Sequence, residues 1–159
     1  MKIAVISDSH YDASSIKLVK KYLCDVDVLI HCGDGAEDTK LLEQDFKGEI
    51  YAVRGNCDIS NKYPKERLLD IIGTKIFVTH GHMYNVKSEY NTIFYKGKES
   101  EADIVLFGHS HKAMVANQDN MILMNPGSVT LPYGGAKKTM GFIELTEGKR
   151  PYVYLKEIV

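Results

Sequence analysis

Lys2-Ile3-Ala4-Val5-Ile6-Ser7-Asp8-Ser9-His10 sets an apolar, β-branched run directly against two side chains that bind metals. Lys2–Ser7 is of strand length and rich in Ile and Val, so it reads as a β-strand with Asp8 and His10 just past its end. The same order recurs down the chain. Asp27–His31 leads to Gly33-Asp34, and Glu49–Arg54 leads to Gly55-Asn56-Cys57-Asp58. Lys75–Thr79 leads to His80-Gly81-His82, and Asp103–Phe107 leads to Gly108-His109-Ser110-His111. Each run ends in a polar residue and a turn.

Helical patterns separate the first three strands. Ala13–Cys24 places Ile16, Val19 and Leu23 on one face, with Asp12 as N-cap, and Glu37–Phe46 does the same with Leu41, Leu42 and Phe46. A β-α-β-α-β start implies parallel strands joined by crossover helices. Ligands of such sheets bind outside the carboxyl ends of the strands, where all five polar clusters fall, so one pocket can collect them.

The second half reads differently. Leu68–Ile72 and Lys75–Thr79 form a hairpin around Gly73-Thr74, and Val86–Glu101 reads as one helix. Lys112–Asn117, Met121–Asn125, Thr139–Leu145 and Tyr152–Ile158 read as further strands. Asp119-Asn120 and Glu147-Gly148-Lys149 supply turns. With no linker, repeat or low-complexity tract, residues 1–159 are expected to form a single domain.

A formal net charge of −1 lacks the basic excess that nucleic-acid backbone demands, which argues against that partner. No apolar run approaches the ~20 residues that span a membrane. Lys2–Ser7 already reads as structural, so treating it as a cleaved leader would remove the site. Cys24, Cys32 and Cys57 are odd in number and lack CxxC spacing, which suits a reducing, cytoplasmic setting better than a disulfide framework.

Each cluster also has a plain structural reading. Asp-x-His after a strand is common, and such an Asp often caps a helix. If the backbone stays extended, Asp8 and His10 point the same way and can grip one ion. Gly33-Asp34-Gly35 is a turn by composition, and Asn125-Pro126-Gly127-Ser128 is either a turn or a rigid wall beside the site. Asp58 fits an orienting acceptor better than a ligand, and His31, inside a strand, fits a hydrogen-bonded core histidine. Gly108-His109-Ser110-His111 is the sharpest signal, because two buried imidazoles are costly to desolvate for packing alone. Arg54, Tyr84 and Lys112 lie near the clusters and serve either as phosphate contacts or as ordinary surface and packing residues.

Asp8, His10, Asp34, Asn56, His80, His109 and His111 together offer seven oxygen or nitrogen donors. That is too many for one tetrahedral ion and suits two ions sharing a carboxylate.

The ordered set Asp-x-His, Gly-Asp, Gly-Asn-x-Asp, His-Gly-His and Gly-His-x-His resembles the calcineurin-like metallophosphoesterase superfamily. Asn125-Pro126-Gly127-Ser128 and the short length are similar to its small microbial phosphodiesterase branch. The resemblance implies an α/β, four-layer sandwich, two mixed sheets flanked by helices. It implies one divalent ion on Asp8, His10 and His111, a second on Asn56, His80 and His109, and Asp34 as the bridge. Manganese is the first expectation, with nickel, iron or zinc also suited to the donor set. It also implies a bridging hydroxide attacking phosphorus in line, with Asp34, Asn56 and His82 in catalytic roles. The substrate class would be small phosphodiesters, with monoesters second. This chain departs from the wider superfamily at Cys57, where many members carry a histidine that serves the leaving group. His82 or a metal-bound water would then take that work.

Two rivals share the fold. One is a protein-interaction scaffold resembling a subunit of the retromer coat, which is free to lose ligands that this chain keeps. The other is a nuclease, which needs a basic groove and added segments. A symmetric homodimer is the default oligomer, and Tyr152 and Tyr154 of the last strand would serve either an interface or the sheet.

Overall fold

Alternation along the first strand sorts the molecule into layers. In β1 (Lys2–Ile6), Ile3 faces one hydrophobic cluster with Val5, while Ala4 and Ile6 face another. A computed structural model describes all residues from Met1 to Val159. Parallel to β1 lie β2 (Val28–His31) and then β3 (Glu49–Ala52). On the other side of β1 lies β9 (Thr139–Glu144), antiparallel to it, and beyond that β10 (Tyr152–Glu157), antiparallel to β9, giving the order β10-β9-β1-β2-β3. The second sheet contains β4 (Glu66–Ile71), β5 (Thr74–Thr79), β6 (Ile104–Leu106), β7 (Met114–Gln118) and β8 (Met121–Asn125), in the order β4-β5-β6-β8-β7. There β5, β6 and β8 run parallel, flanked by antiparallel β4 and β7.

Both sheets turn one face inward. Ile3, Val5, Val28 and Ile30 of the first meet Ile76, Val78, Ile104, Leu106 and Met124 of the second. Burying such side chains contributes about 1.5–3 kcal/mol each, so this seam dominates the fold's stability. On the outer face of the first sheet, Ile16 and Val19 of α1 (Ala13–Lys20) and Leu42 of α2 (Lys40–Glu43) cover Ala4, Ile6, Leu29 and Phe142. On the outer face of the second, Ile93 and Phe94 of α3 (Asn91–Glu99) cover Phe77, Val105 and Leu123. The result is the expected four-layer α/β sandwich.

Helix extents depart from the periodicity. Asp12 caps α1, accepting from Ser14 N–H at 3.0 Å, as expected. The helix stops at Lys20 rather than Cys24, because the N–H groups of Lys21, Tyr22 and Leu23 shift to i−3 carbonyls and the chain tightens. Leu23 stays buried all the same. The expected Glu37–Phe46 helix is a 3₁₀ turn over Ala36–Thr39 followed by the single turn of α2, and Leu41 is exposed while Leu42 is buried. The third helix begins at Asn91 instead of Val86. Asn85 is left-handed (φ 53°), and the Glu89 carboxylate caps the restart by accepting from Asn91 and Thr92 N–H.

Strand bounds shift by a residue or two at several ends, the usual fraying of such boundaries. The Asp119-Asn120 hairpin stands where expected, and the first hairpin turns one residue earlier than expected, at Ile72-Gly73 and not Gly73-Thr74, so Thr74 already belongs to β5. Ile72-Gly73 joins β4 to β5 and Asp119-Asn120 joins β7 to β8, all four with positive φ, the twist that two-residue hairpins require.

Candidate metal centre

The carboxyl ends of β1, β2, β5 and β6 deliver donors from both sheets to one place. Asp8 N–H donates to Gly33 O at 3.0 Å and His10 N–H to Asp34 O at 2.9 Å, so the first two loops are sewn together. Gly108 N–H donates to His80 O at 3.0 Å, and His109 N–H reaches across the sheets to Asp8 Oδ2 at 3.2 Å. Close approach demands glycine twice. A Cβ on Gly55 would stand 2.1 Å from Asp34 Oδ1, and one on Gly108 would stand 1.9 Å from Ser7 Oγ.

Asp8, His10, Asp34, His109 and His111 all have φ between 49° and 65°, the left-handed region that costs non-glycine residues energy. The extended Asp8-x-His10 geometry expected from sequence is therefore incorrect. The two side chains still converge, because a left-handed turn curls them together: His10 Nε2 lies 3.9 Å from Asp8 Oδ1.

Donor atoms gather in two separate groups. Asp8, His10 and His111 form one, and Asp34, His80 and His109 form the other, each with ligand atoms within 4.8 Å of one another. A third group of the same span joins His10, Asp34 and Cys57. Asp8 Oδ1 lies 3.1 Å from His111 Nε2 and 4.0 Å from His80 Nε2, and His80 Nε2 lies 3.2 Å from Asp34 Oδ2.

Backbone carbonyls fix which imidazole nitrogen faces inward. His80 Nδ1 sits 2.8 Å from Cys32 O, and His111 Nδ1 sits 2.6 Å from Leu131 O. Each Nδ1 must carry a proton to donate it, so in the neutral ring Nε2 is the nitrogen left with a lone pair for a cation on the carboxylate side. His10 Nε2 and His111 Nε2 stand 3.3 Å apart. Asp8 Oδ1 and His80 Nε2 are buried, belong to residues with no exposure, and make no aligned hydrogen bond. Buried polar atoms are rarely left so, and a divalent cation would satisfy both.

Charge balance follows the same geometry. Burial acts to lower the His80 pKa, yet Asp34 and Asp8 outweigh it and raise it. Burial acts to raise the Asp34 carboxyl, while His80 and the Cys57 N–H, donating at 2.8 Å, hold it well below the carboxylate range. His109 is pushed down to about 4, first by burial and then by His80 and Lys87.

Asp58 takes the orienting role expected of it. Its carboxylate accepts from the N–H groups of Asp34, Gly35, Ala36 and Gly55 at 2.8–3.1 Å, and from Tyr11 Oη at 2.8 Å. Burial acts to raise this carboxyl, and those donors together hold it below its ordinary value. Ser128 Oγ donates to Asp8 O at 2.8 Å, and Asn125 donates to Gly108 O at 2.9 Å, so Asn125–Ser128 braces two of the loops.

Other expected residues fall less centrally. Asn56 is exposed, with its amide nitrogen 3.5 Å from Cys57 Sγ. Cys57 is exposed too. Its thiol is raised to about 11, by burial of part of its surface and by Asp34. His82 lies beside His80 and His109, with ring centroids 5.5 and 6.1 Å away and Nδ1 buried without a partner. Burial and then the His80 charge lower its pKa. Arg54 donates to Asn61 and Tyr84 to Glu66.

Sequence reasoning missed a buried relay beneath the site. Gly33 N–H donates to His31 Nδ1 at 3.0 Å, so His31 Nε2 carries the proton to Ser9 Oγ at 2.8 Å, and Ser9 Oγ donates to Asp38 Oδ2 at 2.6 Å. His31 is the hydrogen-bonded core histidine expected. Ser9 and Tyr11 carried no signal beyond adjacency to the Asp8-x-His10 motif, and Asp38, in the turn after Gly35, carried none.

A two-sheet sandwich with Asp and His donors at its strand ends is the architecture of a metal-dependent phosphoesterase. Residues 1–148 match the calcineurin-like phosphoesterase superfamily domain, and the chain belongs to that superfamily. A probable metallophosphoesterase of Bacillus subtilis is 37% identical over 134 residues, covering 83% of this chain and 77% of the relative. Among solved structures, a predicted phosphoesterase of Streptococcus pneumoniae superposes with a TM-score of 0.80 at 27% identity, covering 98% of this chain and 97% of that one. An archaeal phosphodiesterase gives 0.76 at 25% identity, covering 98% and 100%. Vps29 of Entamoeba histolytica complexed with zinc gives 0.79 at 19% identity, covering 99% of each chain, a likeness of fold.

Proposed function

We propose that this chain is a two-metal phosphohydrolase acting chiefly on small phosphodiesters, with monoesters as a second class. Asp8, His10 and His111 would hold one ion, His80, His109 and the Asn56 side-chain oxygen the other, and Asp34 would bridge them. The observation that carries this reading is the pair of buried ligand atoms without an aligned hydrogen bond, Asp8 Oδ1 and His80 Nε2, the second 3.2 Å from Asp34 Oδ2. The two ions would supply Lewis acidity and an activated water for attack on phosphorus. The donor set without thiolate favours manganese as first choice, with nickel, iron and zinc also suited.

The protein's own share is orientation. The Cys32 and Leu131 carbonyls hold His80 and His111 in one tautomer, and Asp58 locks the Asp34 loop against the Gly55 loop. His82, at the rim, is suited to hydrogen-bond an outgoing ester oxygen in place of the residue that Cys57 replaces. The free cysteines are consistent with a cytoplasmic location, and the continuous inner core with a single domain.

Chelator-stripped protein, reloaded with manganese, nickel, zinc or magnesium, is assayed on bis-p-nitrophenyl phosphate. Metal-dependent turnover that Asp34→Ala and His109→Ala abolish is the expected result. Absence of turnover with every metal, in folded protein, refutes the hydrolase reading in favour of a scaffold of the same fold.

A further inference from the structure

One cleft opens directly beside the metal centre. It encloses about 360 Å³ and is lined by Lys87, His109, Ser110, His111, Lys112 and Tyr133. His111 belongs to the Asp8 group of donors and His109 to the Asp34 group, so the cleft borders both. Its lining contains two lysines and no carboxylate.

Neither ammonium group of the cleft is neutralised by a carboxylate, as several other surface lysines are not, whereas Lys2, Lys20 and Lys75 each sit 2.6 Å from a carboxylate oxygen. Neither hangs from a loose segment. Lys112 Nζ stands 4.2 Å from the centroid of the Tyr133 ring, whose π face favours a cation. Tyr133 is tied down in turn, its N–H donating to His111 O at 3.1 Å. Lys87 follows Val86, which is buried among Phe77, Ile93 and Phe107. Lys87 lines the same cleft as His109 and His111.

We propose that Lys87 and Lys112 form a second anion site that selects phosphoesters whose non-leaving arm carries its own anionic group, such as another phosphoryl group. The inference rests on the phosphohydrolase reading and adds the substrate's charge pattern. With the scissile phosphoryl group at the metal centre, the arm entering this cleft meets two unpaired ammonium groups, while a neutral arm gains nothing from them. The lysines are specificity-determining and touch no reacting atom.

Two p-nitrophenyl phosphodiesters test this, one with a hydroxypropyl arm and one with a phosphonopropyl arm. The leaving group is the same, so any difference lies in the arm. The phosphonate arm is expected to raise kcat/KM about tenfold, the size of two exposed ion pairs, chiefly through KM. Lys87→Gln with Lys112→Gln should erase that preference and leave the hydroxypropyl substrate unchanged. Equal rates for both substrates, or an equal loss on both in the variant, overturn the proposal.

Calorimetry with the matching non-hydrolysable p-nitrobenzylphosphonate esters, on zinc-loaded protein, reads binding without turnover. If neither diester is hydrolysed, the phosphodiesterase part of the reading fails, and calorimetry still decides the cleft. Lysine-dependent tighter binding of the charged arm supports it, and equal binding refutes it. Inorganic phosphate that inhibits both diesters alike through these lysines, with no preference between arms, would mark a site for the free ion and overturn the substrate assignment.

Discussion

The two ends of this sandwich bend the backbone in the same way for opposite reasons. At the carboxyl ends of β1, β2 and β6, Asp8, His10, Asp34, His109 and His111 are left-handed and buried or half-buried. At the far end, Ile72-Gly73 and Asp119-Asn120 are left-handed and exposed. The far turns need only the twist of a hairpin, so any residue that tolerates positive φ serves there. The near turns are held by cross-loop hydrogen bonds, and the strained residues are the ones whose side chains converge. Strain at one end is turn chemistry, and at the other it sets donor geometry.

Replacing the residue at each end by one that relaxes the backbone breaks the comparison most sharply. Asp34→Gly removes a left-handed penalty, yet metal-dependent hydrolysis should fall about 1,000-fold if, as proposed, this carboxylate bridges the two ions. Steady-state rates with and without added metal check this, and a variant retaining most activity would show that the bend matters and the carboxylate does not.

The cross-loop bonds come next. Asp58→Ala leaves four buried N–H groups and the Tyr11 hydroxyl without their acceptor, and should destabilise the fold by roughly 4 kcal/mol. Urea unfolding would show it as a lower midpoint, and an unchanged midpoint would mean water replaces the carboxylate.

His31 gives a pH handle on the same end. Burial, acting against Asp58 and Asp8, pushes it down to about 4 from 6.5. The unfolded chain then binds more protons between those values, so this contribution to stability is complete above about pH 6.5 and lost as pH falls towards about 4. The loss amounts to about 3 kcal/mol at full development. His80 and His111, both raised, act in the opposite sense, so the difference between wild type and His31→Gln isolates the term. Metal-free melting curves should show the variant losing less stability than wild type across that window, and parallel curves would refute it.

The smallest effect lies at the far end. Ile72, β-branched, exposed and at φ 45°, is a poor choice for its turn. Ile72→Asn should stabilise by about 1 kcal/mol, or about 2–4 °C in Tm, with activity untouched. A lower Tm would show that packing of Ile72 outweighs its strain.

How much was legible in the sequence follows the same division. Strand ends announced themselves, because an apolar run stopping at Asp, Asn or His is visible in one dimension. Ile3 and Val5 against Ala4 and Ile6 also encode the two faces that make four layers. Backbone handedness at Asp8 and His10 was not legible, because left-handed geometry in non-glycine residues comes from tertiary hydrogen bonds and not from local preference. Helix lengths failed for a related reason: Glu37–Phe46 has helical spacing, but Asp38 turns back to accept from Ser9 and Tyr11. Lys87 lies in a turn far along the chain from Lys112, and only the fold places both at one cleft.

The hydrogen bond from His109 N–H to Asp8 Oδ2 joins positions 101 residues apart. Such a contact exists only when both sheets are docked, so the donor set is complete only in the assembled sandwich. Loop-closure cost of this size slows folding, and groups that meet only after the rate-limiting step govern the reverse reaction. An ion bound there would act as a latch: it would lengthen the lifetime of the folded protein and leave the speed of its formation nearly unchanged.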